Sequence, residues 1–225
     1  MQVDGYWARA DEAAGGVLVL HAWWGLTPFL RRFCDRLASE GWIVLAPDLY
    51  HGATAATIAE AERLRSKLKG AVVQQEITTA MESLREACSG LPVAPAGRGG
   101  PARIGLVGFS LGGYWGMWLT EQPSNLIDAA VLFYASRGGD FATGRAACQF
   151  HLAEHDEYMA ASGVKKMQKA FKAAGRETEF YTYPGTSHWF FEDDRPEYDR
   201  EAAALAWPRA VGFLHAHLAP PQKGK

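Results

Sequence analysis

The chain has 225 residues, of which 48% are hydrophobic and 21% charged, and its formal net charge is −2. This length suits one α/β domain, and the composition is that of an ordinary soluble globule. The balanced charge and the lack of a basic stripe argue against nucleic acid as a partner. No apolar run approaches the roughly 18 residues that a spanning helix needs, so no membrane association is expected.

The cysteines and the first residues predict the compartment. Residues 1–7 show no basic region followed by an apolar stretch, so no signal peptide is expected. The sequence has 3 cysteines, an odd number, and they are widely spaced along the chain at Cys34, Cys88 and Cys148. This pattern favours buried free thiols in a reducing compartment. Cytoplasm is therefore the predicted location.

Strand and helix patterns alternate along the chain. Short apolar runs predict buried strands at residues 17–20, 42–46, 104–107, 129–134, 147–153 and 179–183. Helical spacing predicts helices that begin at Thr27-Pro28, within 49–70, and over 72–88, 114–119, 164–174 and 197–217. Residues 90–102 are rich in Pro and Gly and predict a loop.

The alternation of strands and helices predicts the fold class. A β-α-β order implies right-handed crossovers and a parallel sheet. We therefore expect a single α/β-hydrolase domain over residues 1–225, with an open, mostly parallel sheet, helices on both faces and no large cap domain. Active sites in such sheets lie outside the carboxyl ends of the strands.

A candidate nucleophile follows the apolar run at 104–107. The pentapeptide GFSLG at 108–112 fits G-x-S-x-G, a strained strand-to-helix turn that lifts a serine, here Ser110, above the sheet. A Cβ at Gly108 or Gly112 is expected to collide with the backbone that folds back on itself. The pentapeptide alone also fits a Gly-rich turn without chemistry, so the serine must find partners elsewhere in the chain.

Two side chains downstream have the positions that such partners need. A serine requires a base within hydrogen-bond reach, and the base requires an orienting acid; in hydrolases with this turn the chain order is Ser, acid, His. His188 follows the last predicted strand in a turn-rich loop and is the predicted base. Asp156 follows the preceding strand and is the predicted acid, because a short carboxylate holds an imidazole tautomer well. Glu154 and Glu157 are its rivals by position.

The remaining downstream histidines lack such positions. His215 and His217 fall in the final predicted helix, away from strand ends. His151 and His155 fit the zinc signature H-x-x-E-H, but that signature requires a helix. In a strand the two rings would be separated by four rises of about 3.3 Å, which zinc cannot bridge. No metal and no cofactor are therefore expected.

The oxyanion donors are expected from the backbone. One is the N–H of Leu111, directly after the nucleophile at a helix N-terminus. The other is expected from the loop after strand 17–20, where the Trp23 N–H is our choice, with His21 as a brace of that loop. Candidates for an apolar substrate pocket are Trp24, Trp189 and Phe190, among a wider aromatic set that includes Trp115 and Phe191.

Several stretches together resemble the dienelactone hydrolases of the α/β-hydrolase superfamily. The resemblance spans nearly the whole chain and rests on HAWWG (21–25), APDLY (46–50), VGFSLGG (107–113), EHD (154–156) and YPGTSHWF (183–190). It implies that Ser110, Asp156 and His188 occupy the catalytic triad positions. It also implies that Trp23 occupies the position of the second oxyanion donor.

The chain departs from the best-known members of that family at two positions. They carry Cys where this chain has Ser110, and a Glu that primes the thiol where this chain has Ala22. A serine activated by histidine needs no thiolate priming, so the two changes agree with each other. The family's arginines that hold the lactone carboxylate have no clear match, and Arg195, Arg63 and Arg65 are the candidates.

The sequence therefore predicts a serine hydrolase that cleaves carboxylic esters or lactones through an acyl-enzyme. Its expected partner is a small-molecule substrate, with the oligomeric state open between monomer and dimer. The alternative is a non-catalytic protein of the same fold that holds a small apolar ligand in the aromatic cleft.

Overall fold

The structure is a computed structural model that describes residues 3–91, 103–122 and 127–218. Its strands are β1 (Gly5–Arg9), β2 (Gly16–Leu20), β3 (Ile43–Pro47), β4 (Ile104–Phe109), β5 (Ala129–Phe133), β6 (Ala147–His155) and β7 (Thr178–Ser187). Its helices are α1 (Pro28–Ser39), α2 (Ile58–Ser66), α3 (Gly70–Cys88), α4 (Leu111–Thr120), α5 (Ala161–Ala173) and α6 (Arg200–Leu218).

The described strands form one sheet in the order β1-β3-β2-β4-β5-β6-β7. Only the edge strand β1 runs antiparallel to its neighbour; every other pairing within the described chain is parallel. Strands β2 to β5 are buried along their whole length, which explains their continuous apolar runs. The mostly parallel α/β sheet predicted from the sequence is confirmed.

Helices cover both faces of the sheet. A Cβ at Gly105 in β4 would lie 3.0 Å or closer to Leu214 and Leu218 of α6. The next residue along β4, Leu106, points the other way and packs against Gly116 of α4, where a Cβ would lie 2.6 Å from its side chain. Because successive side chains of a strand point to opposite faces, α4 and α6 cover opposite faces of the sheet.

Most predicted elements appear with small shifts of their ends, but three expectations need correction. The turn-rich loop expected before His188 is the last part of β7, which continues past an irregularity in the pairing until His155 pairs with Ser187. Strand β6 likewise runs to His155, two residues past its predicted end. The helical spacing within 49–70 also predicts an apolar stripe of Ile58, Ala61, Leu64 and Leu68, but Ile58 is 46% exposed. Most of the predicted loop at 90–102 lies outside the described residues.

The beginning of α1 follows its sequence signals. The side chain of Thr27 accepts a hydrogen bond from the N–H of Leu30, and Pro28 occupies the first helical position. Within the described part of the chain, no helix combines the length and apolarity needed to cross a membrane.

Candidate active site

Ser110 occupies the turn between β4 and α4 in a strained backbone conformation. Its φ is 48° and its ψ is −108°, outside the regions that L-residues ordinarily adopt. The N–H of Ser110 donates a 3.0 Å hydrogen bond to the carbonyl of Phe133 in β5, which ties the turn to the sheet. A Cβ at Gly108 would lie 2.7 Å from the Gly112 carbonyl oxygen, and one at Gly112 would overlap the Leu20 carbonyl. Only glycine fits at either position.

His188 bridges the serine and the acid. The Ser110 hydroxyl lies 2.8 Å from Nε2 of His188, and Nδ1 lies 2.7 Å from Oδ2 of Asp156. A carboxylate accepts only, so Nδ1 carries the proton and Nε2 is free to accept from the serine. The side chains of His188 and Asp156 are 3% and 5% exposed, so their hydrogen bond is shielded from water.

The sheet brings these side chains together. Asp156 directly follows β6 and His188 directly follows β7, and the ends of these neighbouring strands are held by the pairing of His155 with Ser187. The other carboxylate oxygen of Asp156 accepts the N–H groups of Tyr158 and Met159, each at 3.0 Å. The acid is therefore fixed by the backbone that follows it and by the imidazole.

The two residues whose amides are expected to bind an oxyanion line the same cleft as the serine. Leu111 is the first residue of α4, and Trp23 lies in the loop after β2; both residues line the cleft. Within the described chain, neither backbone N–H donates a hydrogen bond to another group. The place of both residues in the wall of this cleft fits the expected role.

His21 braces the loop that carries Trp23. It is fully buried; its Nε2 accepts the N–H of Leu49 at 3.2 Å, and its Nδ1 donates to the carbonyl of Ala22 at 2.6 Å. These partners fix a neutral tautomer, and burial lowers the pKa of the ring below its ordinary value. His21 thus ties the loop after β2 to the residues that follow β3.

The cleft above Ser110 has a volume of about 470 Å³, and its wall is largely aromatic. Trp23, Tyr158 and Trp189 contribute rings to it, while Arg65 from α2 brings a cationic side chain. Trp24 and Phe190, expected to line a substrate pocket, are instead buried beneath it, because Trp24 packs against Trp23 and Trp189, and Phe190 against Tyr134 and Tyr183. Of the three predicted pocket residues, only Trp189 lines the cleft.

Two tyrosines at the site were not singled out from the sequence. Tyr158 is two residues past Asp156, and its ring centroid lies 5.0 Å from that of His188. Tyr134 directly follows β5, and its ring centroid lies 4.9 Å from that of His188. The available signal was position, since Tyr134 is the last residue of the predicted strand 129–134 and Tyr158 follows the predicted strand 147–153. Of the candidate arginines, Arg195 lies over the ring of Trp24.

The two histidines of the zinc signature lie on a strand. His151 is buried in β6, where Nε2 donates to Gln149 at 2.8 Å and Nδ1 lies 2.6 Å from the Tyr183 hydroxyl. His155, at the end of the same strand, is exposed to solvent and contacts Glu154. Across the described ranges, no group of three or more His, Cys, Asp or Glu side chains is arranged to hold a metal ion.

The sheet and the strand-serine-helix turn define the chain as an α/β hydrolase. Among the solved structures with this fold is a dienelactone hydrolase-like promiscuous phosphotriesterase from metagenomic libraries, which aligns with a TM-score of 0.76 at 17% identity over 93% of this chain and 89% of the other. Another is a thermophilic esterase of Thermogutta terrifontis, which aligns with a TM-score of 0.69 at 19% identity over 97% of this chain and 90% of the other. At these identities the likeness concerns the fold.

The sequence itself matches the dienelactone hydrolase family over residues 3–218. It is 30% identical to the protein named usf of Aquifex pyrophilus, with 97% of this chain and 95% of the relative covered. It is 28% identical, over the same shares, to an Aquifex aeolicus protein named provisionally as a carboxymethylenebutenolidase. The chain therefore belongs to the dienelactone hydrolase family and is a carboxylic ester hydrolase.

Proposed function

We propose that this enzyme hydrolyses esters or lactones through an acyl-enzyme on Ser110, with His188 as base and Asp156 as its orienting acid. The observation that carries the proposal is the continuous line of hydrogen bonds from the serine hydroxyl through both imidazole nitrogens to the carboxylate, at 2.8 and 2.7 Å. Each contact lies within the range that proton transfer to a positioned base requires.

The steps follow from this arrangement. Ser110 Oγ attacks the carbonyl carbon of the ester while Nε2 of His188 takes its proton, and Asp156 stabilises the imidazolium that results. The N–H groups of Leu111 and Trp23 bind the oxyanion that develops on the carbonyl oxygen. His188 then gives the proton to the leaving alcohol. Water, activated in the same way, attacks the acyl-enzyme and releases the acid.

The departures from the thiol-bearing members support a serine mechanism. Ala22, at the position where those members carry a priming Glu, is buried and adds no charge beside the nucleophile. A serine whose proton passes directly to His188 has no need of such a charge. The aromatic cleft and its small volume suit a small-molecule ester or lactone, and we propose that the chain works as one domain.

The experiment compares the wild type with Ser110→Ala and with Ser39→Ala, a matched exposed serine at the end of α1, in p-nitrophenyl acetate turnover. We expect Ser110→Ala to reduce kcat by roughly three orders of magnitude or more, because the nucleophile is lost, while Ser39→Ala retains full activity. Unchanged turnover in folded Ser110→Ala would falsify the proposal.

A further inference from the structure

Glu192 is a buried acid that the serine mechanism leaves without a role. It lies four residues past His188 and is 3% exposed. Its Oε1 accepts a 2.7 Å hydrogen bond from the hydroxyl of Tyr134. Burial raises the pKa of this carboxyl to about 8, so it holds a proton at neutral pH. Burying an ionisable carboxyl costs stability. Acids whose pKa is strongly shifted cluster at functional sites, which makes Glu192 a candidate for a role at this one.

The ring of Tyr134, the partner of Glu192, packs against the imidazole of His188. The Tyr134 ring centroid lies 4.9 Å from that of His188, with an angle of 55° between the planes. Its backbone N–H donates to the carbonyl of His151 at 2.7 Å, and its φ of 36° is an uncommon value for a bulky residue. Hydrogen bonds thus fix both the backbone and the hydroxyl of Tyr134, and its ring is held against the imidazole of His188.

We propose that Glu192 is a positioning residue for His188, acting through the ring of Tyr134. The proposal rests on the proposed function, because it assigns His188 the role of base. A cation within roughly 6 Å of an aromatic ring centroid is attracted to the ring. The His188 imidazolium that forms during acylation is 4.9 Å from the Tyr134 ring, centroid to centroid, and is therefore within that range. Without an acceptor at residue 192, the buried Tyr134 hydroxyl would lose its partner and the ring would shift to find another.

Burial is the main cause of the raised pKa of Glu192, and the hydrogen bond from Tyr134 and the neighbouring charges adjust it. From its own loop, Asp194 and Glu197 favour the protonated carboxyl, whereas Arg195 opposes it. Two groups from other elements also face the Glu192–Tyr134 pair. They are the Tyr134 hydroxyl, which donates to Glu192, and Asp156, whose charge acts on Tyr134. At neutral pH a proton on Glu192 keeps a second negative charge away from the imidazole. Above about pH 8 the proton leaves, and a negative charge appears at the acceptor of the Tyr134 hydroxyl.

Two variants separate positioning from a general loss of structure. Glu192→Gln keeps the amide carbonyl as an acceptor for Tyr134 and removes only the titration, so kcat near pH 7 should stay within about twofold of the wild type. Glu192→Leu removes the acceptor and should lower kcat about tenfold with KM nearly unchanged. Glu201→Gln, at an exposed carboxylate in the first turn of α6, is the matched control and should behave as the wild type.

The deciding readout is independent of ester turnover. The ¹⁵N chemical shifts of the His188 ring, followed from pH 6 to 10, should show an inflection near pH 8 in the wild type and in Glu201→Gln, and none there in Glu192→Gln. Identical curves for the wild type and Glu192→Gln, or full kcat in Glu192→Leu, would overturn the proposal. The two proposals can fail separately. If the wild type shows the inflection but Ser110→Ala keeps its turnover, the coupling of Glu192 to His188 is supported and the serine mechanism is refuted.

Discussion

The indole of Trp23 stacks on the indole of Trp189, with ring centroids 5.6 Å apart and planes at 27°. Trp23 sits on the loop after β2 that presents a candidate oxyanion amide, and Trp189 directly follows His188. Tyr158 packs against both rings, at 5.4 and 4.8 Å. One aromatic cluster therefore fixes the loops that carry the amide, the base and the acid relative to one another.

Trp189 should be a large contributor to stability despite its unfavourable backbone. It is 2% exposed and has a φ of 66°, a value that glycine adopts without strain. We expect Trp189→Ala to lower the free energy of unfolding by about 3–5 kcal/mol. Trp189→Gly should recover about 1 kcal/mol of that loss, because the left-handed conformation costs glycine nothing. Urea unfolding measures both, and a glycine variant less stable than the alanine variant would contradict the prediction.

Asp156→Asn should reduce kcat by a factor of about 10³ to 10⁴ with little change in KM. Asparagine retains an oxygen for the N–H groups of Tyr158 and Met159, so the loop is preserved. It no longer stabilises the imidazolium, and its amide favours the wrong tautomer of His188. Steady-state kinetics beside Glu157→Gln, an exposed neighbouring acid, check this point. A loss smaller than tenfold would show that Asp156 does not orient the base.

The cysteines should be inert in the folded enzyme. All three are buried free thiols; burial raises the pKa of Cys88 and Cys148 to about 11 each and that of Cys34 as well. Thiols in such surroundings form little thiolate near neutral pH. We expect Ellman's reagent to modify none of them until the protein is denatured, and ester turnover to survive the treatment. Rapid inactivation by the reagent would point to a thiol at the active site.

Acid should destabilise the fold through His151. Burial lowers the pKa of this ring to about 3, below its ordinary value of 6.5. The unfolded chain therefore binds more protons between these values, and stability is lost as the pH falls from about 6.5 toward 3. The slope from this residue reaches about 1.4 kcal/mol per pH unit. In unfolding experiments across this range, His151→Gln should flatten the curve, whereas His155→Gln, at an exposed ring, should not.

The sheet could be predicted from the sequence because burial on both faces leaves a direct trace. Strands such as 17–20 and 104–107 are continuous apolar runs, and their order along the chain restricts the topology. The end of β7 was harder to predict. Pro184 and Gly185 carry turn signals and fall in the irregular stretch after the Ala153–Tyr183 pair, yet β7 does not end there, because pairing with β6 resumes at Ser187.

The residues of the candidate site that are placed by the order of strands along the chain could be predicted from the sequence. The residues that are placed by side-chain packing could not. Ser110, Asp156 and His188 each follow a predicted strand, so their meeting could be expected. The same reasoning placed Phe190 in the pocket, because an aromatic beside a candidate base gives no sign of which way it points. The pairing of Glu192 with Tyr134 joins residues 58 positions apart and has no local signal at all.

The most direct test of the account is covalent capture of the nucleophile. The folded wild type, treated with diisopropyl fluorophosphate and mapped by peptide mass spectrometry, should carry a single adduct on Ser110. The adduct should be absent from Ser110→Ala and should form far more slowly in His188→Ala, where the base is missing. Failure of the folded wild type to form the adduct, or an adduct on another residue with Ser110 unmodified, would contradict the account.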